Sequence, residues 1–151
     1  MDPIAIALII LLLAIGLIHL AWALGLNWPG KDGVSRAARV VGTQGRALLG
    51  FWSWASIAFA FFSAVAVVWI GHQPITDWFH ALVAYGGYFT LILVFSLRGF
   101  AAYVTRVFDY ARPTPFYTLN RRYYAPVCLI LAIGLIVDFP PGIDQFLRPP
   151  H

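Results

Sequence analysis

Long apolar stretches separated by short polar segments set the pattern of this chain. They cover residues 4–26, about 47–71, about 78–104 and about 123–139. A helix needs roughly 17–25 residues to cross a bilayer, and each stretch is about that long. We therefore predict an all-α fold, an integral membrane bundle of four transmembrane helices that forms a single domain over residues 1–151.

Composition supports lipid as the environment of these helices. The chain is 61% hydrophobic and 11% charged, whereas an average globular protein is about 45–50% apolar and about 25% charged. A pI near 9.6 would suggest nucleic acid for a soluble chain. Here the basic residues lie in short loops, so we expect membrane lipids as partners and no nucleic acid.

The first stretch resembles a signal peptide only superficially. Its leading residues, "MDP", carry no basic side chain, and its apolar run is longer than that of a signal peptide. We expect it to be a retained helix.

The loop charges predict an orientation. Basic residues concentrate in the loops after the first and third stretches: Lys31, Arg36, Arg39, Arg46, Arg106, Arg112, Arg121 and Arg122. Basic loops stay on the cytoplasmic side. Both termini are therefore predicted to be periplasmic, in a multi-pass protein of the bacterial inner membrane.

Polar side chains inside the stretches gather toward the predicted cytoplasmic end. Arg98 precedes Arg106 by eight residues, which places it roughly 12 Å above the loop at about 1.5 Å per residue. His19 occupies a similar height in the first stretch, three residues before Trp22. We predict that Arg98 points toward the face that carries His19 and Trp22 and toward the start of the fourth stretch.

Each of these side chains can also be explained without a ligand or a partner protein. Arg98 could simply extend to the headgroups, and His19 could be a neutral imidazole bonded to a neighbouring helix. Trp52 and Trp54 are interpreted as interface anchors. The segment "DGVSRAARVVG" predicts a surface helix capped by Ser35, with Arg36 and Arg39 toward the headgroups.

Small residues indicate where helices approach closely. Gly16 shares a face with His19, and Gly86 and Gly87 lie between two tyrosines. We predict close helix packing at Gly16, and we predict that Gly86 and Gly87 mark a close crossing of the third stretch with another helix or a partner subunit.

Two motifs that suggest phosphate or metal binding do not meet the requirements of those sites. "GLNWPGKD" ends in Asp32 where a phosphate-binding loop needs Ser or Thr, and it follows a helix rather than a strand. His72, Asp77 and His80 supply too few ligands for a structural zinc. We predict no metal site, no cofactor and no catalytic residue.

Three segments resemble a known family: "HLAWALG", "SLRGF" and "TPFYTLNRRYYAPVCLILAIG". The chain is similar to a bacterial family of four-helix membrane proteins, domain of unknown function three-nine-nine-five. The residues that fall on its pattern are His19, Trp22, Arg98, Thr114, Pro115, Phe116, Tyr124, Pro126 and Cys128. At Asn120 the family more often has Asp. The resemblance implies the four-helix fold and assigns no activity.

Three functional hypotheses remain from the sequence. The first is a non-catalytic accessory subunit that docks on a larger inner-membrane assembly. The second is a binder or carrier of a small amphipathic or anionic ligand, such as a lipid or quinone. The third is a small membrane enzyme. The residues predicted to contact the ligand or partner are His19, Trp22, Arg98, Tyr124 and Cys128.

Overall fold

The structure, a computed structural model, describes residues 1–44, 50–104 and 106–141. Within these residues the chain is helical and contains no β-strand. Helix α1 spans Pro3–Ala23, α2 spans Gly33–Val40 and α3 spans Phe51–Gly71. Both α1 and α3 have 21 residues, about 31 Å of helix at about 1.5 Å per residue, which matches the apolar thickness of a bilayer.

The third and fourth spans are each interrupted by a π-helical segment. The third consists of α4 (Trp78–Ala81), a π segment (Leu82–Gly86) and α5 (Gly87–Ala101). After a short 3₁₀ turn (Asp109–Ala111), the fourth consists of α6 (Pro115–Leu119), a π segment (Asn120–Tyr124) and α7 (Ala125–Val137). The four helices α1, α3, Trp78–Ala101 and Pro115–Val137 are long and apolar enough to cross a membrane. The fold is therefore that of a multi-pass membrane protein.

The fourth span differs most from its predicted bounds. Its helix begins at Pro115 rather than near residue 123, so Pro126 lies inside the span and not in its first turn. The sequence prediction placed the start of this helix after Arg121 and Arg122, because charged residues are typical of loops. Both arginines are exposed, so the helix carries them without burying their charge.

The helices pair as neighbours along the chain. Helix α1 packs along α3, and α5 packs along α7, while the π segment of the third span joins α3. We call the end where α1 begins and α7 finishes the Asp2 end, and the opposite end the basic end. The buried apolar core lies in the half toward the Asp2 end, with Leu8, Leu12, Val68, Leu131 and Leu135 as members.

Glycine contacts show which crossings are close. A Cβ on Gly16 would lie 2.9 Å from the Phe62 ring, and a Cβ on Gly87 would lie 2.6 Å from Val67 of α3. Gly86 is different, since its nearest neighbour is Leu82 of its own span at 3.6 Å. Gly86 therefore makes no close crossing with another helix of this chain, and its predicted contact with a partner subunit stays a prediction. Consecutive helical residues point about 100° apart, so only one of the two glycines faces α3.

Candidate functional site

A group of aromatic rings joins α1 and α3 at the basic end. The ring centroids of Trp22 and Trp54 lie 5.0 Å apart, those of His19 and Trp22 4.8 Å apart, and those of His19 and Phe61 5.4 Å apart. We call His19, Trp22, Arg36, Trp54 and Phe61 the Trp54 cluster. It brings together the last turns of α1 and the first half of α3.

Arg36 enters this cluster from α2. A capping box starts that helix: the Asp32 carboxylate accepts from the Ser35 backbone N–H, and the Ser35 hydroxyl accepts from the Asp32 backbone N–H. The Arg36 guanidinium donates through Nη1 to the Leu26 and Trp22 carbonyl oxygens. These carbonyls lie at and just beyond the end of α1, where the helix does not supply all its acceptors with i→i−4 donors; the Trp22 oxygen also accepts from the Gly25 N–H.

These contacts correct two predictions about α2. Arg36 is 8% exposed rather than directed to the headgroups, because the end of α1 offers it acceptors. The N-cap is Asp32, and Ser35 is its reciprocal partner three residues later. The exposed arginine of this helix is Arg39.

Trp54 also differs from its prediction as an interface anchor. It is 3% exposed, whereas Trp52 is 82% exposed. The two side chains lie on different faces of α3, and only Trp54 faces α1.

Two donors in the Trp54 cluster are buried without a hydrogen-bond partner. They are Arg36 Nε and Trp54 Nε1, and the Arg36 guanidinium carbon lies 5.5 Å from the Trp54 ring centroid. Both groups can only donate. A buried donor that lacks an acceptor destabilises a fold by about 1–3 kcal/mol. In the part of the chain that the structure describes, no acceptor reaches either of these two atoms.

His19 faces the same cluster with its imidazole. Its Nδ1 lies 2.8 Å from the Ile15 carbonyl oxygen of the same helix. A carbonyl can only accept, so Nδ1 carries the proton in this contact and Nε2 of the neutral ring is an acceptor. The interpretation of His19 as an imidazole bonded to a neighbouring helix is corrected here, because its hydrogen bond is within α1.

A second group surrounds Arg98. Its Nη2 donates to Asn120 Oδ1 at 2.8 Å, and the guanidinium carbon lies 5.1 Å from the Phe108 ring centroid. Aromatic contacts continue to Phe116 and from there to Tyr124. We call Arg98, Phe108, Phe116, Asn120 and Tyr124 the Arg98 cluster.

Arg98 is closer to the basic end than the sequence predicted. Helix α5 finishes at Ala101, three residues beyond Arg98, which corresponds to about 4.5 Å of helix. The sequence estimate was larger because it counted the residues up to Arg106 as helical. Arg98 Nη1 is buried without a hydrogen-bond partner, and in the described part of the chain no carboxylate forms an ion pair with Arg98.

The structure thus divides the predicted contact residues between two clusters. His19 and Trp22 lie together, and Arg98 and Tyr124 lie together. Cys128 is partly buried in α7. The predicted approach of Arg98 to the start of the fourth span is found in its bond to Asn120. The contacts of Arg98 are with Asn120 and Phe108, and its predicted nearness to His19 and Trp22 stays a prediction.

Sequence reasoning missed Arg36 as a buried residue and Asn120 as the partner of Arg98. Asn120 did carry a signal, because it is the position where the chain departs from the family pattern. Arg36 carried none beyond its place one residue after the helix-capping serine.

A third polar group lies at the Asp2 end. Tyr88 donates its hydroxyl to Asp138 Oδ2 at 2.6 Å, and His72 Nε2 lies 3.2 Å from each oxygen of the same carboxylate. One ligand atom each from Asp2, His72 and Asp138 lies within 4.8 Å of the others, so these residues could hold a divalent ion. His72 and Asp138 also satisfy one another without one.

The other carboxylates at this end act as helix caps. Asp2 accepts from the Ala5 and Ile4 backbone N–H groups, which lower the pKa of its carboxyl. Asp77 accepts from the His80 N–H, which lowers its pKa likewise. His80 Nε2 lies 3.2 Å from the Ile70 carbonyl oxygen. The sequence grouped His72 with Asp77 and His80. The fold instead brings His72 to Asp138 and Asp2.

A family model described as "Protein of unknown function (DUF3995)" matches residues 12–135, most of the 151-residue chain. The chain belongs to this family. The matched region of this DUF3995 protein contains every residue of both clusters at the basic end, whereas Asp2 and Asp138 lie outside it. No curated protein and no solved structure matches the chain.

Proposed function

We propose that this DUF3995 protein binds an amphipathic, lipid-like ligand at the Trp54 cluster. The single observation that carries the proposal is the pair of buried donors, Arg36 Nε and Trp54 Nε1, that lack an acceptor. A ligand head with a carbonyl, phosphate or carboxylate oxygen would supply it. Among the three hypotheses from the sequence, ligand binding is the one that this arrangement favours.

The surroundings of the two donors fit such a molecule. Flat aromatic surfaces of His19, Trp22 and Phe61 adjoin Trp54 and offer apolar contact to a ring or an alkyl chain. The cluster lies at the last turns of α1, near the membrane surface. An amphipathic molecule could place its head at Arg36 and its tail in the bilayer. Lipids and quinones have this character.

The charge of Arg36 strengthens this reasoning. In the described segments no carboxylate pairs with Arg36, and its bonded partners are two neutral carbonyl oxygens. A hydrogen bond from a charged donor contributes about 1.5–3 kcal/mol. The hydrogen bond between Arg36 and an acceptor oxygen of the ligand would therefore contribute most to the free energy of binding. We propose further that the basic end faces the cytoplasm of a bacterial inner membrane.

The test compares retained small molecules in matched variants. Protein purified in mild detergent is extracted with organic solvent, and the extract is analysed by mass spectrometry. Trp54→Phe keeps a ring but removes the N–H, and Arg36→Lys keeps the charge but removes Nε. We expect each to lower ligand retention about tenfold, the equivalent of about 1.4 kcal/mol. Trp52→Phe and Arg39→Lys are the controls, since both residues are exposed, and they should retain the wild-type amount.

Equal retention in Trp54→Phe and Trp52→Phe would contradict the proposal. Copurification of a protein subunit that depends on Trp54, with no extractable small molecule, would favour the accessory-subunit hypothesis instead.

A further inference from the structure

We infer that the Arg98 cluster is a separate binding site for a phosphate oxyanion at the membrane surface. The site goes beyond the proposed function, because the two clusters share no residue and each is tested by its own variants. The observation behind it is the incomplete set of partners around Arg98. One terminal nitrogen, Nη2, is bonded to Asn120, while the other, Nη1, is buried without a partner.

Among the described residues, the contacts of Arg98 supply no negative charge. Asn120 is 1% exposed and supplies a neutral amide oxygen, and Phe108 supplies the face of its ring. Each interaction is favourable for a guanidinium, yet neither neutralises it. A positive charge in a membrane protein is normally paired or placed at an aqueous boundary. Nη1 is buried, so water at the boundary does not satisfy it, and an anion is the partner that would both accept from Nη1 and neutralise the charge.

Several features favour phosphate as that anion. Arg98 lies about 4.5 Å from the end of α5, near the level of lipid phosphates. A guanidinium presents parallel N–H groups that suit a phosphate. An arginine that merely extended to the headgroups would have a free guanidinium. Arg98 is instead held within the protein by Asn120 and Phe108. The anion would therefore bind where the guanidinium is held, and the side chain does not reach out to the headgroups.

The decisive variant is Asn120→Asp, which supplies a negative charge from the protein itself. Purified protein is titrated with phosphatidylglycerol in detergent, and in a parallel experiment with inorganic phosphate, while thermal unfolding is followed. We expect phosphatidylglycerol to raise the wild-type unfolding temperature and Asn120→Asp to abolish that shift. Arg98→Gln should abolish it as well. Arg122→Gln, which changes an exposed arginine at the same end, should leave it unchanged.

Asn120→Ala distinguishes anion binding from a purely structural role of Asn120. This variant frees Nη2, so phosphatidylglycerol should bind at least as tightly as it does to wild type. A response to phosphatidylglycerol alone identifies a lipid headgroup as the source, and a response to inorganic phosphate as well identifies the free ion. The inference is overturned if neither ligand shifts wild type, or if Asn120→Asp, confirmed as folded by circular dichroism, responds as wild type does.

Discussion

The adjacent glycines of the third span allow a stability prediction with an internal control. Gly86 and Gly87 both have helical backbone angles, with φ of −65° and −63°. Alanine is therefore compatible with the backbone at either position. In the structure a Cβ on Gly87 would lie 2.6 Å from one methyl of Val67 and 3.0 Å from the other. A Cβ on Gly86 would be in ordinary contact with Leu82 at 3.6 Å.

The expected difference in stability between the two alanine variants follows from two opposing effects. Replacing glycine by alanine within a helix stabilises it by roughly 0.5–1 kcal/mol. Both variants share this gain, so it cancels in their difference. Overpacking a close contact destabilises by about 1–3 kcal/mol. Val67 cannot easily rotate away, because a β-branched side chain in a helix strongly prefers one rotamer. We expect Gly87→Ala to be less stable than Gly86→Ala by about 1–3 kcal/mol.

The free energy of unfolding of the two variants is measured in the same detergent by titration with sodium dodecyl sulfate, followed by circular dichroism. Gly86→Ala should equal or exceed wild type, and Gly87→Ala should fall below Gly86→Ala. Equal stabilities, or a less stable Gly86→Ala, would show that the third span does not meet α3 through Gly87.

Three further predictions concern side chains outside the two clusters. Tyr88→Phe removes the hydroxyl donor of the buried Asp138, and we expect a loss of about 1–3 kcal/mol in the same titration, compared with the exposed Tyr123→Phe as control. Ser35→Ala removes the hydroxyl half of the capping box and should destabilise α2 by about 0.5–1.5 kcal/mol, the net contribution of one hydrogen bond. We expect faster amide exchange in residues 33–40, whereas the exposed Val34→Ala should leave that exchange slow. The Ser35 backbone N–H lowers the pKa of the Asp32 carboxyl below its ordinary 3.8, so its contribution to stability is present above that pH and is lost as the pH falls through the lower folded value. Carboxyl carbon shifts in nuclear magnetic resonance should show Asp32 titrating below 3.8 in wild type. Ser35→Ala keeps the backbone N–H, the main cause, and removes the hydroxyl, the second cause, so the titration should move upward yet stay below 3.8; a wild-type titration at or above 3.8 would contradict the capping role.

The sequence by itself determined the number of spans and the positions of most of their ends. In lipid every backbone polar group must be satisfied within the protein, so a long apolar stretch has to be a helix. The stretches predicted at 4–26 and 78–104 correspond to Pro3–Ala23 and Trp78–Ala101. The early start of the fourth span was missed because Arg121 and Arg122 suggested a loop. Their side chains reach outward, and the helix can therefore include them.

The sequence could not show which side of each helix faces a neighbour. A helix surrounded by lipid is apolar all round, so periodicity no longer separates buried from exposed positions. Trp52 and Trp54 are identical residues two positions apart, yet one is 82% and the other 3% exposed.

Only the tertiary structure decided the polar pairs. Arg98 meets Asn120 across 22 residues, and His72 meets Asp138 across 66. Such pairs depend on how the helices rotate about their axes and at what height they cross. Both are set by contacts such as Gly87 with Val67 and Gly16 with Phe62, which exist only once the helices have packed together.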